Sequence, residues 1–293
     1  MPNLATAPSV LESASSRNEL PHFFTSEGRP LYGAFHPADA APAKDGVLIF
    51  CHSLGIEHMV TQRMEVLGAR AAAKAGFAAF RYNARAHGDS AGDPREVTLA
   101  DLVDDACTAA DYARQLSGAS RIVWVGVRFG CHIAAEAMAR RNDAAALALW
   151  EPLHRGEDYF RIAIRALLFC LVSQGKRPGS TVDDLLKRLE TDGVLPVVGT
   201  YIHRLLYSTA READLGRSLQ NWAGNTLIAQ VQSRPTLSTS NERLRSEIEQ
   251  RGGKVAVALT SQEPAWSLLP LVRPQWTSDV LLAATAEWLH GLE

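Results

Sequence analysis

The sequence predicts an α/β fold: a mostly parallel central sheet, helices on both of its faces, and a helical cap inserted over it. Beyond residue 46, short and nearly all-apolar runs alternate with longer stretches whose apolar residues recur at helical spacing, the pattern of strands covered on both sides. Glycines at 126 and 130 bracket a sharp turn between one such run and the next helical stretch. The interval 152–222 keeps a helical pattern throughout and offers no further central strand.

Taken in order, residues 1–20 combine polar and apolar residues without a basic start or a continuous apolar stretch. They read as a disordered tail rather than a secretory signal. From 22 to 36, two β-rich pieces flank Glu27-Gly28 and predict a hairpin, and Pro37, Asp39 and Pro42 mark 37–44 as a loop. Strands are expected at 47–51, 78–82, 122–125, 146–150, 226–231 and 255–259, and helices at 61–75, 99–116, 132–140 and 279–289. The resulting division is a core of 21–151 and 223–293 with a cap of 152–222.

Composition narrows the function classes. The net charge of the 293-residue chain is -2 and its hydrophobic fraction is 46%, which allows a sizeable core and gives no electrostatic case for nucleic acid or an anionic membrane surface. Apolar runs are broken by charges before they reach the roughly 20 residues a membrane span needs. The cysteines at 51, 107, 131 and 170 stand alone, without the spacing of a zinc site. A cytoplasmic protein with a small-molecule ligand or a protein partner, no metal and no cofactor is the expectation.

The chemistry concentrates at Gly126-Val127-Arg128-Phe129-Gly130. Strand, tight turn and helix in that order make the setting of a G-x-S-x-G nucleophile elbow. Its central residue is Arg128, and a guanidinium keeps its proton and has no lone pair with which to attack a carbonyl. Asn83-Ala84-Arg85-Ala86-His87-Gly88-Asp89-Ser90 resembles the D-x-R-G-H-G-x-S segment of the α/β-hydrolase superfamily, and Cys51-His52-Ser53-Leu54 occupies the place of its oxyanion loop. The acid of a triad would follow the 226–231 strand, where Gln232, Ser233, Arg234 and Pro235 stand, and the histidine would follow the last strand, where the chain runs from Thr260 to Trp266 without one.

From about residue 22 to 292 the chain resembles the exosortase A-associated hydrolases, a bacterial α/β-hydrolase family. The likeness rests on the G-x-R-x-G turn, Trp150-Glu151-Pro152, Gly199-Thr200-Tyr201 and Pro264-Ala265-Trp266. It implies an α/β-hydrolase fold and a setting beside exopolysaccharide and protein-sorting genes, without naming a reaction.

Arg128 at a helix N-terminus could anchor an anionic ligand group, with Ser53, Leu54 and Phe129 as neighbouring contacts. The plainer reading gives it an internal carboxylate, Glu57 or Glu151. Cys131-His132 and Cys51-His52 are neighbours in sequence whose side chains diverge, so neither pair reads as a catalytic dyad. His87 reads first as a turn-stabilising residue. The stretch 159–171, with Arg161 and Arg165 four apart, reads as a packed cap helix and, more sharply, as the lining of an acyl or isoprenoid site. The preferred function is a degenerate hydrolase that binds a small anionic or acylated ligand. The alternative is an ester or thioester hydrolase activating water with Glu57, His87 or Glu151 while Arg128 polarises the substrate.

Overall fold

A left-handed turn opens the structure. The computed structural model describes residues 19–39, 41–232, 236–261 and 277–292. β1 (Leu20–Ser26) and β2 (Arg29–His36) pair antiparallel around Glu27 and Gly28, whose φ values of 46° and 78° are those of a twist-matched hairpin turn. Leu20 already belongs to β1, so strand begins inside the stretch read as tail; residues 1–18 lie outside the described residues. β3 (Val47–Cys51), β4 (Ala78–Tyr82), β5 (Ile122–Val127) and β6 (Ala144–Trp150) follow at the expected places. Beyond them come β7 (Val194–Val197), β8 (Thr200–His203), β9 (Asn225–Gln232) and β10 (Lys254–Ser261).

The eight-stranded sheet has the order β1-β2-β4-β3-β5-β6-β9-β10. β2 meets β4 antiparallel, and every pair from β4 to β10 is parallel. The chain leaves β3 for β4 on one side and returns to β5 on the other. That reversal makes β3 and β5 the point of the sheet beyond whose C-terminal ends open α/β sheets bind ligands; the cleft of this chain opens further along the same edge, beyond β5, β6 and β9.

Alternating strand residues feed two cores. Leu48, Phe50 and Trp150 pack with Met64 of α1 (Gly55–Lys74), and Leu281 and Leu289 of α9 (Asp279–His290) join the same core. Ile49, Trp124 and Leu149 pack on the other face, in a core with Leu102 of α2 (Leu99–Ser117), Ile133 of α3 (Gly130–Ala139) and Leu244 of α8 (Thr239–Gln250). Helices therefore cover both faces. None of them, among the described residues, is long and apolar enough to cross a membrane.

Residues 152–222 hold α4 (Gly156–Ser173), α5 (Val182–Asp192), α6 (Arg204–Ala210) and α7 (Leu215–Ser218). The expectation of helix throughout needs one correction, because β7 and β8 form an antiparallel hairpin apart from the central sheet. Leu195, Val197 and Ile202 face inward from it, and Val198 and Gly199 turn it with φ values of 42° and 80°. Four-residue strands are too short for alternation to stand out in the sequence. Tyr159, Phe160, Leu189 and Tyr207 join the core that holds α2 and α3, so this insertion is packed onto the sheet layer rather than around a core of its own.

A second correction concerns α1, which begins at Gly55 instead of 61. Its buried stripe includes Glu57, Thr61 and Glu65, four residues apart and all buried. Polar residues on the inner face hide the apolar period by which a helix is recognised.

The glycines around the β5–α3 turn are fixed by close approach. A Cβ on Gly130 would lie 1.9 Å from the carbonyl oxygen of Cys51, and one on Gly126 would lie 2.5 Å from Cys131 Cα. Backbone atoms cannot give way as a flexible side chain would. Gly130→Ala is expected to lower stability by about 3 kcal/mol, read from the denaturant midpoint, whereas alanine for the exposed Gly179, which has nothing within 4 Å of the added Cβ, leaves it nearly unchanged.

Candidate functional site

At the end of β5 the chain turns into α3 through Arg128, whose φ is 55°. A non-glycine residue in that left-handed region is strained. The turn is held by an Arg128 N–H to Trp150 carbonyl bond of 2.9 Å and a Cys131 N–H to Arg128 carbonyl bond of 3.1 Å. One strand over, Glu151 sits at φ 50° immediately after β6, and its N–H reaches the Ala229 carbonyl at 2.7 Å. Two strained charged residues thus stand side by side at the C-terminal edge of the sheet.

The Arg128 side chain is only 6% exposed. Its Nη2 lies 3.0 Å from Glu57 Oε1, and its Nε lies 3.3 Å from Glu57 Oε2. Burial opposes the guanidinium charge, but Glu57 outweighs it and holds the group above its ordinary pKa. Ser53 Oγ donates to Glu57 Oε2 at 2.7 Å and accepts the Phe129 N–H at 3.4 Å. The early start of α1 is what carries Glu57 to this place.

The remaining site expectations fall on both sides of this pair. Ser53, Leu54 and Phe129 are buried and do not line the adjacent cleft. Leu54 caps α1 through its backbone position, and the Phe129 ring packs edge-on to Tyr159 at 5.4 Å. Cys131 directs its thiol to the Gly126 carbonyl at 3.2 Å, and burial pushes its pKa well above the ordinary value. His132 is buried, and neither ring nitrogen has a hydrogen-bond partner among the described residues.

His87 stands apart from the cleft. Its Nδ1 lies 2.9 Å from the Arg85 carbonyl, and its ring is 5.1 Å from that of His52. His52 is pinned on both nitrogens: Nδ1–H donates to the Ser53 carbonyl at 2.7 Å and Nε2 accepts the Ala84 N–H at 3.2 Å. The His58 ring lies 4.0 Å from it. Burial first, then the neighbouring imidazoles, keeps this group neutral, with His52 well below its ordinary pKa and His58 pushed down to about 4. Among the described residues, no group of three or more His, Cys, Asp or Glu is placed to hold a metal ion.

The cleft itself has a volume of about 330 Å³. Arg128 and Glu151 come to it from the sheet edge, His154, Asp158 and Arg165 from the inserted segment, and Gln230 and Asn241 from β9 and α8. A chain of bonds holds the far wall: His154 Nε2 to Asn241 Oδ1 at 2.8 Å, then Asn241 Nδ2 to Gln230 Oε1 at 2.8 Å. Because the amide oxygen of Asn241 faces the imidazole, His154 must donate from Nε2. Glu151 Oε2 accepts the Val231 N–H. Burial pushes the Glu151 carboxyl up to about 7, against the Val231 N–H and Arg128, which both favour the anion.

Reasoning from the sequence missed His154, Gln230 and Asn241. The trace they left was a glutamine inside an otherwise apolar strand. Of the positions expected for an acid and a histidine, Gln232, Thr260 and Ser261 are described, and residues 233–235 and 262–266 lie outside the described residues.

A mostly parallel eight-stranded sheet, helices on both faces and an insertion after β6 define an α/β hydrolase. The chain belongs to the family described as serine aminopeptidase, S33, whose model matches residues 42–188. Est1E from Butyrivibrio proteoclasticus, solved with ferulic acid bound, is similar in structure, with a TM-score of 0.64 at 16% identity over 92% of this chain and 96% of its own. An esterase from Pyrococcus furiosus gives 0.63 at 12% identity over 94% and 90%, and DcsB in complex with its substrate analogue gives 0.62 at 17% over 94% and 99%. At such identities the likeness shows the fold, and chemistry must be argued from the site. No curated protein sequence gives a significant match.

Two outcomes follow from the geometry. Glu57→Gln keeps the shape but removes the carboxylate charge from a buried guanidinium, and should destabilise the protein by about 3 kcal/mol in urea unfolding, with Arg128→Met added to it recovering most of the loss. The histidine group adds a pH dependence. Its folded pKa values lie below those of the unfolded chain, so its stabilisation is complete above about pH 6.5 and is lost as pH falls towards 4. Melting temperatures across that window should fall less steeply in His58→Gln.

Proposed function

We propose that the chain is a hydrolase scaffold without the serine–histidine–acid triad, and that it binds a small anionic or acylated ligand in the cleft beside Arg128. The observation that supports this most directly is the residue at the strained β5–α3 turn. Where an attacking hydroxyl or thiol is needed, the side chain is a buried guanidinium already engaged by Glu57. Sequence points the same way, since residues 232–235 contain no carboxylate and residues 260–276 no histidine. The lining favours the anionic end of the ligand range. Amides, hydroxyls and ions outnumber the apolar residues Pro152, Leu153 and Ile162 among the described walls, whereas pockets for apolar chains are lined mainly by hydrophobic groups. A setting beside exopolysaccharide or protein-sorting functions is part of the same proposal, carried by the family resemblance, and a cytoplasmic location is proposed with it from the lack of a secretory-signal pattern in residues 1–20.

One observation favours a second reading, hydrolysis of an ester or thioester by activated water. A carboxyl pushed up to about 7 is poised as a general base, and Glu151 shares its cleft with a cation that could polarise a carbonyl. Glu57 is committed to Arg128, and His87 lies outside the cleft, which leaves Glu151 as the base in this scheme.

Purified protein assayed on a panel of short-chain and aromatic esters and thioesters separates the two. No turnover above buffer, and no labelling by a fluorophosphonate, is the expected result. Turnover that falls at least tenfold in both Glu151→Gln and Arg128→Ala would establish the hydrolytic reading instead.

A further inference from the structure

Among the described residues, Arg165 is the arginine of the cleft that the internal ion pairs leave over. Arg161, one turn earlier on α4, is pinned by Glu157 at 2.7 Å and Asp183 at 2.9 Å, and Arg128 is paired with Glu57. Arg165 has no ion-pair partner among the described residues, is exposed, and lines the cleft. Glu151 lines the same cleft with one carboxyl oxygen fixed by the Val231 N–H. Its other oxygen makes no hydrogen bond among the described residues. An ionised Glu151 would repel an anion there, while the protonated acid offers an O–H donor to it.

We infer that the cleft takes an oxyanion of its ligand together with a proton, Arg165 supplying the charge and Glu151, in its acid form, the hydrogen bond. The inference rests on the reading of this cleft as a binding site and adds which groups hold the anion. In the step itself, the carboxylate of Glu151 gains one proton from solvent as the oxyanion enters, and no covalent bond to the ligand forms. Among the described residues, the charged and titratable groups around Glu151 are Arg128 from the β5–α3 turn, Cys131 from α3, Glu57 from α1, and His154, Asp158 and Arg165 from the inserted segment. The nearest described residues of β9 and α8 at the cleft, Gln230, Ser238, Ser240 and Asn241, carry no charge. The test therefore separates Glu151 from these neighbours by substitution at Glu151 itself. Burial places the Glu151 acid at about 7, so its competent fraction changes about tenfold between pH 6 and pH 8.

Sulfate is a suitable probe because its charge is constant over that range. Titrated into the full chain and followed by calorimetry, it should bind about tenfold more tightly at pH 6 than at pH 8. In Glu151→Gln, whose amide N–H is always available, affinity should stay at the tighter level at both pH values. In Arg165→Ala it should be lost at both. Equal affinity at pH 6 and pH 8 in the wild type, or a pH dependence that survives in Glu151→Gln, overturns the proton coupling while leaving the cleft as a binding site. Absence of sulfate binding at either pH overturns the coupling and the binding reading together.

Discussion

The buried ion pair between Arg128 and Glu57 is the constraint around which the rest is arranged. Two charges removed from water lose several kcal/mol of hydration each, and only close contact and further hydrogen bonds make the arrangement tolerable. Contact is supplied at 3.0 and 3.3 Å, and Ser53 adds a third bond to the same carboxylate. Glu57 can be there because α1 begins directly after the β3 loop. The first turn of that helix is therefore polar on its inner side.

Pairing of the guanidinium changes what the neighbouring cleft can be. With Arg128 neutralised by Glu57, the local balance is set by Glu151, Asp158 and Arg165, which come from different elements. The amide and imidazole wall of Gln230, Asn241 and His154 is ordered by its own bonds, which leaves these side chains little rotamer freedom. Family membership supplies the sheet and the turn.

Much of the scaffold was legible in the residues. Glu27-Gly28 gave the hairpin, the apolar runs gave the parallel strands, and the flanking glycines gave the turn at Arg128, because each depends on local sterics or a short hydrophobic pattern. The two places where the pattern misled have one cause. In α1 the stripe of Glu57, Thr61 and Glu65 faces inward, and in β7 and β8 only three inward side chains carry the alternation. Both are tertiary arrangements written over a weak local signal. The cleft was less legible still: Glu57 and Glu151 stood out as carboxylates near the turn, but His154, Gln230 and Asn241 meet only through packing of segments some 75 to 90 residues apart in the chain.

The left-handed backbone at position 128 has a bearing on how such a chain could have changed its chemistry. The close backbone approaches of the bend fall on Gly126 and Gly130, and the residue between them has only its left-handed φ to satisfy, so a side chain that tolerates that φ can stand there without remaking the bend. What resists exchange is electrical. Serine at this position would strand the carboxylate of Glu57 without its counter-ion, so an exchange at 128 calls for a matching change on α1.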